Sequence, residues 1–477
     1  MSTKYLIGVD GGSQSSKVVI FDLAGNIICE GRQELRPLYM PEPGVVEHPD
    51  DDLWDSIVIA CRQAMSRFPG DPKDIIALGS GSIRCCRAML KEDGTLASPV
   101  LSWMDTRLAR PYEHLDPQVR YVTAATGYIN HRFTGVRKED AANLWGQWPI
   151  DDRTWQWSTD PEAYKNYNLP RKMLFDLAMP GEVIGPLTAE VAKATGIPAG
   201  IPVVATANDQ AVGPLGAGLI DEKSILVSLG TYIPSCVKGR TYRGDAKTYF
   251  MNMACIPHEY LYESGGIRRG MWTVSWFRNL FGEEIAAKAA AMGISVEAYL
   301  EREAREVPAG SDGLLTVLDW LAPVSEPHRK GAMIGFDGRH SRAHMYRSIL
   351  EAIALTMKNH SEAMLEEMGM TPGRLIVIGG GSKSDLFMQI FADAYNLPAQ
   401  RMEVPDAAGL GAAICAAVGA GVYPDFDTAV ARMVRVAKVF TPIPEHVEIY
   451  GRINTAVYKG LRDRLEPILQ DSYPIFH

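Results

Sequence analysis

Short hydrophobic segments that run directly into glycine-rich turns recur along this chain and constrain its fold. They are Tyr5–Asp10 before Gly11 and Gly12, Ser224–Ser228 before Gly230, and Leu375–Ile378 before Gly379, Gly380 and Gly381. Runs of this length, rich in Val, Ile and Leu, are typical of buried strands. Because segments with helical spacing alternate with them, the pattern predicts an α/β fold in which glycine turns follow strand ends.

The order of these segments predicts two large domains. The first thirty residues indicate a meander of three strands, Tyr5–Asp10, Lys17–Asp22 and Ile27–Glu30. The pattern of strand and glycine turn starts again at Ser224, and 477 residues are enough for two domains. A polar stretch at Arg243–Lys247 marks the expected boundary. We therefore expect domains at residues 1–244 and 245–440 and a helical extension at 441–477.

Composition argues against several kinds of protein. Lys and Arg number 48 against 57 Asp and Glu, and this net charge of −9 does not suit a nucleic-acid partner. The longest weakly polar stretch, Leu410–Val422, is too short for a membrane span, and no leader-like pattern opens the chain. The seven cysteines lack Cys-x-x-Cys spacing and the ten histidines form no ligand-spaced cluster. We expect a reduced, cytoplasmic protein without disulfides, zinc or a membrane partner.

The loop Asp10–Lys17 between the first two strands has the composition of a phosphate-binding turn. The glycine backbone around Gly12 allows close approach of an anion. Ser13, Ser15 and Lys17 can donate hydrogen bonds to phosphate oxygens, and the carboxylate of Asp10 suits Mg²⁺. The alternative is a plain solvated β-turn. The sequence contains no Walker-type phosphate loop.

Asn208-Asp209-Gln210 follows a short apolar segment and precedes the small residues of Gly213–Gly218. A carboxylate at the carboxyl end of a strand is where α/β folds place catalytic groups. Asp209 could accept the proton of a hydroxyl, which is a weak nucleophile at neutral pH. The alternative is that Asp209 is a helix N-cap.

Two further glycine turns, Leu229-Gly230-Thr231 and Gly379–Ser382, each follow a predicted strand. Thr231 could contact phosphate, and the bare backbone of the second turn could lie against adenosine. Close packing between a helix and a strand would explain the same glycines. Each turn is a weak signal when taken alone.

Arg84 and the segment Trp103-Met104-Asp105-Thr106-Arg107 combine an aromatic face with hydrogen-bonding groups. That combination suits a polyhydroxylated ligand, which presents both C–H faces and hydroxyls. The alternative for Asp105 is a structural ion pair with Arg107. The adjacent Cys85 and Cys86 are more typical of core packing than of redox chemistry.

Together and in order, these motifs resemble those of the FGGY carbohydrate kinases, a branch of the actin, Hsp70 and hexokinase-like superfamily. Within that family the chain is most similar to uncharacterised sugar kinases of enteric bacteria. Cys85 stands where the glycerol and autoinducer-2 kinases have glutamate. The resemblance covers nearly the whole chain through these segments: Ile7–Asp22, Ser82–Arg84, Trp103–Arg107, Asn208–Gly218, Gly230-Thr231, Gly331–Gly335 with Arg347 and Glu351, and Gly379–Ser382 with Asp385, Gln389 and Asp393.

The resemblance implies an α/β fold of two actin-like (ribonuclease H-like) domains with a catalytic cleft between them. It implies that ATP, with Mg²⁺ near Asp10, phosphorylates a hydroxyl of a pentulose, hexulose, polyol or sugar acid, and that Asp209 is the general base. It also implies a homodimer. The implied ATP-binding residues are Gly12, Ser13, Gln14, Ser15, Lys17, Gly230, Thr231, Gly380, Gly381, Ser382 and Asp385. The implied substrate-binding residues are Arg84, Cys85, Trp103, Asp105 and Asp209.

Two other functions are compatible with the sequence. A sensor that binds sugar or nucleotide could keep the fold without turnover, although the presence of Asp10, Asp209 and Thr231 argues for catalysis. An actin- or chaperone-like ATPase would hydrolyse ATP without any sugar and would not need the segment from Trp103 to Arg107. Composition does not distinguish either alternative from a kinase.

Overall fold

The computed structural model describes residues 3–323, 325–404 and 407–476, which build two mixed β-sheets flanked by helices. The strands of the first half are β1 (Tyr5–Gly11), β2 (Ser15–Asp22), β3 (Ile27–Glu34), β4 (Ile75–Ser82), β5 (Arg87–Leu90), β6 (Tyr121–Ala124), β7 (Lys138–Asp140), β8 (Ile150–Asp151), β9 (Gln156–Trp157), β10 (Asp176–Ala178), β11 (Val183–Pro186) and β12 (Pro202–Val204). Its helices are α1 (Asp52–Arg67), α2 (Ala125–Thr134), α3 (Pro161–Tyr167), α4 (Ala189–Thr195) and α5 (Asp209–Gly216).

The first sheet has the strand order β11-β12-β4-β1-β2-β3. β1 to β3 form the predicted antiparallel meander, and β4 lies parallel to both β1 and β12. The apolar stripe of α1 covers one face of this sheet, where Ile57 and Cys61 are almost completely buried. Parallel strands bring their carboxyl ends to one edge, so the ends of β1, β4 and β12 lie together.

The second half continues with β13 (Ser224–Ser228), β14 (Ser235–Gly239), β15 (Tyr249–Met253), β16 (Tyr260–Ser264), β17 (Leu315–Val317), β18 (Ala332–Ile334), β19 (Arg374–Ile378), β20 (Ala399–Met402) and β21 (Val436–Phe440). Its helices are α6 (Gly270–Leu280), α7 (Gly282–Ala291), α8 (Val296–Arg305), α9 (Arg342–Met368), α10 (Asp385–Tyr395), α11 (Ala407–Gly419), α12 (Phe426–Met433), α13 (Pro444–Ile453) and α14 (Lys459–Phe476). The second sheet has the order β15-β16-β14-β13-β19-β20-β21. The predicted α/β class is confirmed.

The predicted boundary at residue 244 cuts through the second sheet and needs correction. β13 and β14 precede residue 244, yet β13 pairs with β19 and β14 pairs with β16. The division between the two sheets therefore falls in the connection at residues 217–223, between α5 and β13. The predicted helical character of residues 441–477 agrees with α13 and α14.

Helix α11 connects the two halves, because it comes from the second half of the chain and packs on α5, β1 and β4 of the first. Backbones are in close contact there. A Cβ atom on Gly411 would lie 1.9 Å from the carbonyl oxygen of Val212, and one on Gly8 would lie 1.9 Å from that of Gly409. Only glycine permits this approach. Among the described residues, no helix has the length and apolar character needed to cross a membrane.

Candidate active site

Three strand ends of the first sheet meet at one edge and bring together the predicted substrate residues. The backbone N–H of Ile83 donates to the carbonyl of Gly11 at 2.9 Å. Ser82 forms a parallel bridge with Asn208. The turn that carries Arg84 therefore lies between the Asp10 loop and Asp209, as the strand order requires.

Asp209 is the first residue of α5 and is half-buried, while Asn208 occupies the N-cap position. The N-cap alternative for Asp209 is therefore wrong. Its carboxylate accepts the backbone N–H of Gln210 at 2.9 Å. Burial raises the pKa of the Asp209 carboxyl, and the nearby positive charge of Arg84 opposes this rise. A carboxylate with a raised pKa is suited to accept a proton near neutral pH.

Arg84 forms a bidentate ion pair with Glu263 of β16, so the pair joins the two halves of the molecule. Nη1 and Nη2 of Arg84 each lie 3.2 Å from one carboxylate oxygen of Glu263. The Glu263 side chain is buried, and the amide of Asn252 also lies 3.4 Å from it. Glu263 was not predicted from the sequence. Its only signal there is that a charged residue lies within an otherwise apolar strand segment.

Cys85 lies next to this ion pair in a backbone conformation that side chains rarely adopt. Its φ is +59°, in the left-handed region that favours glycine. Such conformations cost free energy and are found preferentially at functional sites. Cys86, in contrast, is buried, and burial raises the pKa of its thiol. Trp103 itself is 54% exposed, so its indole is free to contact a ligand.

Asp105 does not face a ligand, which corrects the prediction that it binds substrate. Its side chain is completely buried. The carboxylate accepts the backbone N–H of Val46 at 2.8 Å and three N–H groups of Arg107 at 2.6–2.9 Å. The structural ion pair considered as the alternative is the one present, and it fixes the loop that carries Trp103.

The loop Asp10–Lys17 is a tight hairpin, in agreement with its sequence. The backbone N–H of Gly12 donates to the carbonyl of Ser15 at 3.1 Å, while Ser13 and Gln14 are exposed at the tip. Asp10 lies directly opposite Lys17 in the β1–β2 register. The Lys17 amine lies 2.9 Å from a carboxylate oxygen of Glu30, so it has a protein partner besides any phosphate.

The other two glycine turns lie together at the carboxyl ends of β13 and β19. The N–H of Leu229 donates to the carbonyl of Ile378 at 2.9 Å. Gly379 has a φ of +85°, and a Cβ there would lie 2.6 Å from the Leu229 carbonyl. Thr231 is exposed, and its carbonyl accepts the N–H of Gly270 at the start of α6. Gly380 is exposed and open to a ligand.

The remaining members of this turn support it from inside. Gly381 is buried, and a Cβ on it would lie 2.9–3.0 Å from the Leu229 side chain. Ser382 is 1% exposed and its hydroxyl donates to the carbonyl of Gly379 at 2.8 Å. The Ser382 hydroxyl is therefore engaged within the turn, and the implied contact of this residue with ATP stays a prediction.

Asp385 also stabilises the turn. Its carboxylate accepts Arg401 at 2.7 Å and Lys438 at 2.6 Å, from strands β20 and β21. Arg401 at the same time donates to the Ser382 carbonyl at 2.6 Å. Because two cations already occupy the carboxylate, its predicted role in ATP binding is corrected to a structural one.

Asp10 has the chemistry required for a magnesium site shared with a nucleotide. Mg²⁺ in such sites uses one or two carboxylates, and phosphate oxygens and water complete its shell. Within the described part of the chain no three His, Cys, Asp or Glu residues cluster as a metal site. A single carboxylate at the hairpin base fits a site in which phosphate oxygens and water supply the other magnesium ligands. It does not fit a cage made only of protein ligands.

The architecture of this chain is similar to that of a solved kinase structure. The crystal structure of xylulose kinase from Rhodospirillum rubrum superposes with a TM-score of 0.82 at 24% identity and covers 98% of this chain and 100% of its own. The N-terminal domain of the FGGY family of carbohydrate kinases matches residues 5–138 and 117–216, and its C-terminal domain matches residues 227–420. The chain therefore belongs to the FGGY family of carbohydrate kinases, and it is a phosphotransferase with a two-domain α/β fold.

Two curated relatives extend this result. The uncharacterized sugar kinase YgcE of Escherichia coli (strain K12) is 50% identical over 477 residues, covering 100% of this chain and 97% of its own length. The autoinducer-2 kinase of Escherichia coli O9:H4 (strain HS) is 26% identical over 516 residues, covering 98% and 95%. The predicted family and fold are confirmed, and the family implies ATP as the phosphoryl donor and a small sugar as acceptor.

Proposed function

We propose that the protein transfers the γ-phosphoryl group of ATP to a hydroxyl of a small sugar, polyol or sugar acid, with Asp209 as the general base. The observation that carries this proposal is the position of Asp209 beside the Arg84 turn, where the strand ends of the first sheet meet. A carboxylate and a guanidinium at one edge can hold a hydroxyl and accept its proton.

The acceptor hydroxyl would lose its proton to Asp209 as its oxygen attacks the γ-phosphorus, while the bond from that phosphorus to the β–γ bridging oxygen breaks and ADP leaves. Burial makes this carboxylate a stronger base than an exposed aspartate, since it raises the pKa. Arg84, held in place by Glu263, would orient the sugar hydroxyls. Trp103 offers an exposed aromatic face to the sugar ring. These contacts fix the reacting oxygen, and such positioning supplies much of the rate in phosphoryl transfer.

The phosphate chain of ATP would lie between the Gly12–Ser15 hairpin and the Gly230-Thr231 turn. Both offer backbone N–H groups and hydroxyls, and Gly380 leaves open space for adenosine. Asp10 would hold Mg²⁺, which supplies neutralisation of phosphate charge when it is bound. A cytoplasmic location stays a prediction from composition, and a homodimeric state stays a prediction from the resemblance.

Release of ADP on a panel of pentuloses, hexuloses, polyols and aldonates tests the proposal. We expect ADP release to require one of these acceptors. ATP hydrolysis at the same rate without acceptor would instead identify an ATPase. Binding of an acceptor that raises the Tm without any ADP release would identify a sensor.

A further inference from the structure

Arg87, the first residue of β5, is a buried cation without an anionic partner. The residue is 4% exposed. Among the residues that the structure describes, its guanidinium donates no hydrogen bond, no carboxylate lies within 4.0 Å, and Nε is buried without an acceptor. The equally buried Arg347, in contrast, donates to Glu351 at 2.8 Å and to the Val307 carbonyl at 2.7 Å. Of these two buried arginines, Arg347 is paired with a carboxylate and Arg87 is not.

The surroundings of Arg87 do not compensate its charge. The rings of Tyr112 and Trp148 lie 6.0 and 5.9 Å from the guanidinium carbon and give cation–π attraction. Burial of an unpaired charge costs more than such contacts return. The charge of Asp105 reaches Arg87, but Arg107 already occupies that carboxylate. Desolvation accordingly lowers the pKa of Arg87.

Arg87 lies close along the backbone to two of the predicted substrate residues, Arg84 and Trp103. It follows Arg84 by three residues, at the point where the turn that carries Arg84 enters β5. Its backbone exchanges two hydrogen bonds with Leu101, at 3.2 and 2.9 Å, and Trp103 follows two residues later. The exposed indole of Trp103 and the guanidinium of Arg87 therefore belong to adjacent segments.

Trp148, whose ring lies near Arg87, belongs to a segment that contacts the residue before Asp209. The amide of Asn208 contacts the Ala142 carbonyl at 3.4 Å. The segment from Ala142 to Trp148 thus begins at a contact with Asn208, the residue before Asp209, and ends at the ring near Arg87. An acceptor held by Asp209 and Arg84 would extend along this segment.

Resting on the proposed kinase function, we propose that the acceptor is a sugar acid and that its carboxylate pairs with Arg87. A planar guanidinium matches a carboxylate with two parallel hydrogen bonds. A single cation between two aromatic rings balances a single negative charge, whereas a phosphate dianion calls for several donors. Asp209 and Glu263 would repel an acidic acceptor, and Arg87 offsets that repulsion.

Matched acceptors test the proposal directly. ADP release is measured with gluconate against glucitol, ribonate against ribitol and xylonate against xylitol. We expect kcat/KM for at least one acid to exceed that of its alditol by about 10-fold or more, as a charge-assisted hydrogen bond gives. Arg87→Met should lower kcat/KM for the acid by about 10- to 100-fold and bring the ratio of acid to alditol toward one. The kcat/KM of Arg87→Lys for the acid should lie between the values of the wild type and of Arg87→Met.

Arg302→Met serves as the matched control, because Arg302 is an exposed arginine of α8. This variant should keep the wild-type ratio of kcat/KM for acid to that for alditol. An acid preference that survives in folded Arg87→Met overturns the role of Arg87. Faster phosphorylation of every neutral acceptor than of its acid overturns the substrate class while the kinase function stands. If no acceptor of any class yields ADP, both proposals fail. The wild-type comparison decides the substrate class even if Arg87→Met does not fold.

Discussion

Arg84 and Glu263 form a bidentate ion pair between residues 179 positions apart, one in each half of the molecule. Arg84 follows the strand beside the Asp10 loop, and Glu263 lies in β16 of the second sheet. The residue that we propose to orient the acceptor is therefore held by the second half, which we propose to bind nucleotide. On that proposal, the position of the acceptor depends on the relative placement of the two halves.

Replacement of Glu263 tests this linkage. Glu263→Gln should lower stability by about 1–2 kcal/mol, since it removes a buried charge partner from a partly exposed arginine. It should also raise KM for the acceptor more than KM for ATP. Thermal unfolding and initial rates check the two effects. Glu445→Gln, an exposed glutamate of α13, is the control, and an equal effect of both variants would remove the special role of Glu263.

The two adjacent cysteines should respond to glycine in opposite ways. Cys85 has a φ of +59°, so Cys85→Gly relieves strain and should leave the Tm unchanged or higher. Cys85→Val should cost about 1–2 kcal/mol, because a β-branched residue is least suited to this conformation. Cys86→Gly removes a buried side chain and should cost about 1–3 kcal/mol. Equal losses for both glycine variants would contradict the assigned strain.

The contact between α11 and α5 should tolerate no side chain at Gly411. Gly411→Ala places a Cβ 1.9 Å from the Val212 carbonyl, so the helices must separate. We expect a loss of about 2 kcal/mol or more, measured by denaturant unfolding. Gly451→Ala in α13 meets no atom within 4 Å and should gain up to about 1 kcal/mol. An unchanged free energy of unfolding for Gly411→Ala would show that this contact is looser than described.

Asp209 should reduce stability when it is ionised. Burial raises the pKa of its folded state above the unfolded value, so the folded protein binds the proton more tightly. Stability then falls as the pH rises between these two pKa values, and above them the ionised carboxylate is a cost. Asp209→Asn should therefore have a higher Tm than the wild type near pH 8, with a difference that shrinks toward about pH 4. A lower Tm near pH 8 would mean that Arg84 outweighs burial.

Local sequence predicted most of the framework for physical reasons that act over short distances. Strand and helix periodicity gave β1, β2, β13, β19 and α9, and small residues marked the turns that follow. Asp209 was predicted because α/β folds place catalytic carboxylates at the carboxyl ends of strands. Arg84 was predicted because it combines with the aromatic and hydrogen-bonding groups of the segment from Trp103 to Arg107. These are features of short segments, and neighbouring residues in the chain determine them.

The errors concern contacts between distant segments. Periodicity indicates a strand but not which sheet it joins, so β13 and β14 were placed in the wrong domain. The partners of Asp385 come from β20 and β21, and the partner of Arg84 from β16. Nothing in the local sequence distinguishes a carboxylate that is already paired in this way from one that faces a ligand.

The rate of phosphoryl transfer by Asp209→Asn on the preferred acceptor tests the central claim most directly. Asparagine keeps the shape but cannot accept the proton, so kcat should fall by at least about 10²-fold while the protein stays folded. Asp471→Asn, an exposed aspartate of α14, should retain wild-type kcat. A kcat of Asp209→Asn close to that of the wild type would contradict the assignment of Asp209 as the general base.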